Sequence, residues 1–229
     1  MVDFGGAIKK PFANSKNMLI GMILAAIPIV QLLVEGYALK NAEEVIKGKK
    51  ALKLWAVGDI VEYIVKLIIS WIISIIYFII PAILIGIGLG SAFLNMIGSQ
   101  ATSTDPTAML QVFMQSLAVG GPFLVIGAIL GILAALALPM AYMKWLKAGK
   151  IGAALNVVDV VKSCLTADYI VTLIVAIIYS FVLVMILGLI AGVLLLVPFI
   201  GFILSALVFG LAMFAVQVSV MSMFAETVK

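Results

Sequence analysis

The chain has 229 residues, 66% of them hydrophobic and only 10% charged. Soluble domains run at roughly 45–50% apolar and about 25% charged, so a solvated globular domain, a disordered tail and a nucleic-acid-binding module are all excluded. The net charge is +4, with no His, one Cys (Cys164) and every basic residue a lysine. That inventory removes the commonest general base and metal ligand, any internal disulfide, and the bidentate arginine clamps for phosphate or carboxylate.

A spanning helix needs about 20 mostly apolar residues. In chain order, residues 3–12 read as a short interfacial helix anchored by Phe4, Ile8 and Phe12. Residues 18–39 are apolar but interrupted by Pro28 and Gln31. Lysines flank both sides, and a single span cannot leave both flanks on one face. A re-entrant hairpin bent near Ala26-Ile27-Pro28 and a Pro-kinked span therefore both stay open. Residues 40–55 are more polar and carry Lys40/Glu44 and Glu43/Lys47 at i,i+4 spacing, which suits an interfacial helix or a solvated loop.

Membrane helices are expected over 62–89, 121–147, 168–193 and 199–225, each long and lysine-poor. Gly86, Gly88 and Gly90 read as a loosened helix end. Between them and the third long helix, Thr104-Asp105-Pro106 offers an N-cap and a Pro at the first helical position for a short helix over 106–118. Gly120-Gly121-Pro122 is expected to break it. Residues 153–166 place Asn156, Asp159, Lys162 or Ser163, and Thr166 on a narrow stripe opposite a broad apolar face, as expected of a helix lying in the headgroup plane.

The lysines set the orientation. Lys40, Lys47, Lys49, Lys50, Lys53 and Lys66 fall in one connector, Lys144, Lys147, Lys150 and Lys162 in another, and no lysine falls in 67–143 or 163–228. Positive-inside bias puts 40–66, 144–166 and the C-terminus in the cytoplasm of a multi-pass cell-membrane protein. Lys9, Lys10 and Lys16 ask for the same side. With the connector lysines they form a basic surface facing anionic headgroups.

Glu62-Tyr63-Ile64-Val65 recurs as Asp168-Tyr169-Ile170-Val171, and Tyr37 with Lys47-Gly48-Lys49 is echoed by Tyr142 with Lys147-Ala148-Gly149-Lys150. The whole chain reads as one membrane domain, residues 1–229, with parallel tandem halves 1–116 and 117–229. Tyr37, Trp55, Glu62, Tyr63, Tyr142, Trp145, Asp168 and Tyr169 are expected as anchors at the membrane boundary. Gly127-x-x-x-Gly131 and Gly188-x-x-x-Gly192 read as helix-packing motifs, within the chain or in a homo-oligomer.

Gln31 and Gln217 are the most prominent polar side chains inside the apolar runs, as pore contacts or as interhelical hydrogen bonds. The carboxylates fall at segment boundaries, so an ion-coupled carrier is disfavoured. No nucleophile elbow or metal-binding pair occurs, so no catalytic residue, cofactor or metal is expected.

Asp3-Phe4-Gly5-x-Ala7-x-x-x-Pro11-Phe12, Ile27-Pro28-Ile29-Val30 with Gly36-Tyr37, and Leu54-Trp55 before Gly58-Asp59 carry a resemblance. The chain resembles the archaeal and bacterial polytopic membrane proteins grouped as a domain of unknown function, number 4013. This chain is more basic around Trp55 than that family usually is. The resemblance implies a fold and a membrane location and transfers no catalytic residue. The expected function is a non-enzymatic structural or interaction role, organising or curving membrane or scaffolding an oligomer. The alternative is a permease or pore for a small or lipidic solute.

Overall fold

The computed structural model describes residues 2–49, 51–98 and 106–229; Lys50, Thr104 and Asp105 lie outside the described residues. No strand occurs among the described residues. The helices are α1 (Phe4–Lys9), α2 (Ser15–Ala26), α3 (Gln31–Ile46), α4 (Ile60–Gly98), α5 (Pro106–Ala148), α6 (Ile151–Leu155), α7 (Val157–Cys164), α8 (Ala167–Leu194) and α9 (Ile200–Glu226). Short 3-10 turns, Lys10–Phe12 and Val57–Asp59, precede α2 and α4. Four stretches are long and apolar enough to cross a membrane: Val57–Asn95, Leu110–Ala148, Ala167–Leu194 and Ile200–Glu226.

The chain divides into two compact units, one of Met1–Ile73 with Pro139–Lys229, the other Ser74–Leu138. In the first, α9 is the central post. Helix α2 runs antiparallel to it: Gly21 lies against Phe214, and Gly210 lies against the backbone of Met22 and Ala26. Helix α3 then returns alongside α9, with the Tyr37 and Phe214 rings 6.0 Å apart. Apolar burial around Ala25, Val34, Tyr37, Ala38, Tyr63, Phe214 and Val218 forms a core shared by α2, α3, α4 and α9.

Residues 18–39 are thus two helices with a sharp turn between them. Helix α2 is only 12 residues, about 18 Å long, whereas α8 and α9 are about 40 Å each. The end of α2 lies beside Gly210, about 15 Å along α9 from its start. The hairpin tip therefore stops well short of the α8–α9 turn.

Both turns are built alike. Ile29 and Phe199 follow a proline and have φ of 70° and 61°. The Val30 amide donates to the Pro28 carbonyl and the Ile200 amide to the Pro198 carbonyl, closing two γ-turns of the rare positive-φ kind. The next amides, of Gln31 and Gly201, donate to the Ile27 and Val197 carbonyls. Such backbone costs about 1–3 kcal/mol per residue. At both tips the strained residue is also strongly exposed, Ile29 at 80% and Phe199 at 94%.

In the second unit Gly88, Gly120 and Gly127 serve close approach rather than interruption. A Cβ on Gly120 would come 2.3 Å from the Gly88 carbonyl oxygen, and one on Gly127 would strike Ile85. Two expectations are corrected here. Helix α4 continues through Gly86, Gly88 and Gly90 to Gly98, and α5 runs unbroken through Gly120-Gly121-Pro122. Apolar surroundings leave backbone polar groups no solvent partner, so the helical hydrogen bonds persist where water would have let the chain open. A helix does start at Pro106, but it is α5 itself and not a separate short helix over 106–118.

Candidate functional site

The chemistry is concentrated at the end of the first unit that carries Glu226, referred to below as the charged end. Lys40, Glu43, Glu44, Lys47 and Lys49 come from α3 and its C-terminus, and Glu62 and Lys66 from the first turns of α4. The i,i+3 and i,i+4 spacings align these charges on facing helix surfaces. Lys40 Nζ donates to Glu62 Oε1 at 2.5 Å and to Glu43 Oε2 at 3.2 Å. Lys66 Nζ sits 2.7 Å from Glu43 Oε2 and 5.7 Å from the centroid of the Trp145 ring. Lys47 closes on Glu43, and Lys49 on Glu44 at 2.5 Å.

Burial shapes the proton affinities in this network. It would raise the Glu43 carboxyl, but the Lys47, Lys66 and Lys40 ammonium groups outweigh it and hold Glu43 at about 2. Burial would likewise lower Lys40, but Glu62 and Glu43 hold it above the ordinary lysine value. Lys49 is the main cause that depresses Glu44.

A second network ties the 52–55 connector to the hairpin. Asn17 Nδ2 donates to the Tyr37 hydroxyl at 2.5 Å, and that hydroxyl donates to the Lys53 carbonyl at 2.6 Å. Asn17 Oδ1 accepts the Trp55 amide at 2.7 Å, and Asn41 Oδ1 accepts the Lys53 amide at 2.9 Å. The Trp55 ring stacks on Tyr37 with centroids 4.0 Å apart. Asn17 and Asn41 escaped the sequence reading. Polar residues recurring on the buried faces of two adjacent short helices were the signal available.

Several expected surface groups are turned inward. Lys10 is 5% exposed, and its Nζ has no hydrogen-bond partner among the described residues. Burial pushes its ammonium down to about 8, against the raising influence of Glu226 and Glu44. Lys40 is 8% exposed and engaged by carboxylates. Both are buried because the lysine-rich stretches fold back on α9 and α4. Lys9, Lys16, Lys47, Lys49, Lys147 and Lys150 remain exposed, while Lys53 pairs with Asp59 and Lys144 with Asp159.

Of the aromatic residues singled out in the sequence, Tyr37, Tyr63, Tyr142, Trp145 and Tyr169 are buried within the protein. Tyr142 donates to the Ser70 carbonyl, and Tyr169 packs on Phe224. Glu62 remains partly exposed within the ion cluster, and Asp168 is exposed in the first turn of α8. Glu35 accepts a hydrogen bond from Ser70 at 2.9 Å.

Residues 153–166 form two helices, because the Asn156 side chain caps α7 by accepting the Asp159 amide. Val157, Val158, Val161 and Leu165 are exposed, and Val160 is buried. A Cβ on Gly131 would meet Pro81 at an ordinary 3.8 Å, and Gly188 and Gly192 face open space. Gln31 is half-buried; Gln217 is too, and its Oε1 atom is buried without a hydrogen-bond partner among the described residues. No cluster of potential metal ligands occurs among the described residues.

No curated protein and no solved structure matches the chain. A family model does match, over residues 19–196, which takes in the hairpin, the ion cluster and the helices through α8. The chain belongs to the family described as Protein of unknown function (DUF4013).

Proposed function

We propose that this chain is a non-enzymatic, multi-pass protein of the cell membrane that organises or curves the bilayer from its cytoplasmic leaflet. In this reading the charged end, the C-terminus and both ends of the α2–α3 hairpin lie in the cytoplasm. The complete absence of lysine from 67–143 and 163–228 supports that orientation. The similar placement of Tyr37 and Tyr142, and of Gly48 and Gly149 with positive φ, supports a parallel tandem repeat.

One observation carries the functional reading: the end of α2 lies beside Gly210, part-way along α9, and the chain turns back directly after it. With α9 spanning a hydrocarbon core about 30 Å thick, the hairpin reaches about the middle of the membrane and enters and leaves through one face. Helix α7 adds its exposed Val157, Val158, Val161 and Leu165 at the same leaflet's boundary. Volume that enters from one face, with α7 at that face's boundary, expands that leaflet more than the other. The basic residues that stay exposed hold the end against anionic headgroups, each contributing about 1 kcal/mol.

Reconstitution at rising protein-to-lipid ratio, imaged by electron cryomicroscopy, tests this. The reading expects narrowed or tubulated liposomes, and it expects Val158→Asp with Val161→Asp to weaken the effect. Unchanged vesicle shape across the series, from a protein that stays monomeric, overturns it.

A second reading, a permease for a small or lipidic solute, draws on Gln217 and on Thr172, whose buried hydroxyl has no hydrogen-bond partner among the described residues. Solute flux in the same proteoliposomes that disappears in Gln217→Leu favours that reading over the first.

A further inference from the structure

We propose that a recess at the charged end, between the end of α5, the α7–α8 junction and the end of α9, binds a phosphate group. The phosphate is that of an anionic lipid headgroup or of a soluble phosphate ester. The proposal deepens the membrane-surface reading above and rests on it for the lipid source alone.

The recess has a volume of about 180 Å³, several times the ~30 Å³ share of one liquid water. Buried Met140 contributes an apolar wall. Lys144 and Lys147, one turn apart on α5, supply two ammonium groups. Ser163, Thr166 and Thr227 bring hydroxyls from two other directions, and no acidic side chain lines the space.

The donor accounting leaves room for an anion. An ammonium has three N–H donors. Lys144 directs one to Asp159 Oδ2 at 2.7 Å, and Lys147 one to the Val228 carbonyl. Each keeps two donors for a further acceptor. The three hydroxyls donate only to carbonyls three or four residues back in their own segments, those of Asp159, Ser163 and Phe224. Such local bonds are weak, and a hydroxyl can rotate to a stronger acceptor. A phosphate oxygen facing two ammonium groups is that acceptor.

The other polar cavity at this end shows what such a site is not. It has a volume of about 40 Å³ and is lined by Asp3 and Glu226 as well as Lys10, so its carboxylates repel an anion and the space suits water. The recess at Lys144 also adjoins α7, whose exposed valines put it at headgroup depth when α7 lies on the membrane.

The test uses the full chain in nanodiscs of phosphatidylcholine doped with phosphatidic acid, with retained lipid read by native mass spectrometry. K144Q with K147Q is expected to lower phosphatidic acid retention roughly ten- to thirty-fold. K53Q with K162Q, which removes the same charge from lysines that do not line the recess, is expected to change it less than threefold. Ser163→Leu fills the recess without altering charge and is expected to lower retention as well, which keeps the test decisive if the double lysine variant misfolds.

Glycerol phosphate and inorganic phosphate are added as competitors. Displacement at millimolar concentration supports the site with a soluble phosphate as its source; retention of lipid despite them supports the site with lipid as its source. Equal loss in both lysine pairs, or full retention in Ser163→Leu, overturns the proposal. Liposome shape is expected to be unaltered by Ser163→Leu, so failure of the site is separable from failure of the membrane-shaping role.

Discussion

Asn17 at the start of α2 donates a hydrogen bond to the Tyr37 hydroxyl in α3 across 2.5 Å, and this contact clasps the open end of the hairpin. The Asn17 carbonyl oxygen simultaneously accepts the Trp55 amide. Asn17→Ala strands a buried amide and removes a partner of the tyrosine. The expected cost is about 2–4 kcal/mol, measured as a shift in the SDS-unfolding midpoint. Tyr37→Phe keeps the stacking on Trp55 and is expected to cost less.

Glycine substitutions separate close helix contacts from open faces. A Cβ on Gly36 would lie 2.0 Å from the Tyr63 carbonyl oxygen, and one on Gly210 would lie 2.4 Å from that of Met22. Both atoms are backbone and cannot swing aside. Gly36→Ala and Gly210→Ala are expected to lose about 1–3 kcal/mol or more. Gly188→Ala and Gly192→Ala, where nothing lies within 4 Å, are expected to stay within about 0.5 kcal/mol of wild type. The same unfolding assay ranks all four.

The ion cluster predicts an acid limit. Glu43 is held at about 2 in the fold against an ordinary value of 4.5. Its contribution is therefore complete above pH 4.5 and is lost as pH falls from there toward 2. About 2–3 kcal/mol is at stake over that window. Glu43→Gln is expected to flatten the acid limb of stability against pH. Lys40→Met, which leaves Glu43 and Glu62 short of a partner, is expected to destabilise by about 3 kcal/mol at neutral pH.

Lys10 predicts the opposite limb. Its ammonium is lowered to about 8 from 10.5, so the unfolded chain binds more protons between those values. Stability is expected to rise as pH climbs from 8 to 10.5. Lys10→Met removes that rise and is expected to gain about 1–2 kcal/mol at pH 7, since a buried charge without a hydrogen-bond partner is replaced by an apolar chain. Unfolding midpoints of the two proteins across that range check both statements.

The long apolar runs and the lysine spacing made the four membrane-length helices legible in sequence, because hydrophobic length is itself the physical requirement for spanning. A break at Pro28 was legible too, since proline and two lysine-bearing flanks conflict with one straight span, but whether it kinked a span or folded a hairpin was not. What sequence concealed was direction. Tyr37, Tyr63 and Tyr169 have the composition of interfacial anchors, yet tertiary packing encloses them. Lys10 and Lys40 look topogenic, yet α9 and the carboxylates of α3 and α4 draw them inward. Gly88 and Gly120 read as breakers one at a time; only their pairing across two helices reveals close contact. The ion cluster was half visible, since Glu43/Lys47 and Glu62/Lys66 each have i,i+4 spacing, but nothing in the chain order says that the two pairs meet.

The central claim is that residues 15–46 enter and leave through one face of the membrane. Single cysteines at Lys9→Cys, Lys49→Cys and Lys229→Cys, in a Cys164→Ser background, test it most directly. Sealed inside-out and right-side-out vesicles are treated with a membrane-impermeant maleimide. The account predicts that all three label only from the cytoplasmic side. Labelling of Lys9→Cys only from outside, with Lys49→Cys labelling from inside, would contradict it.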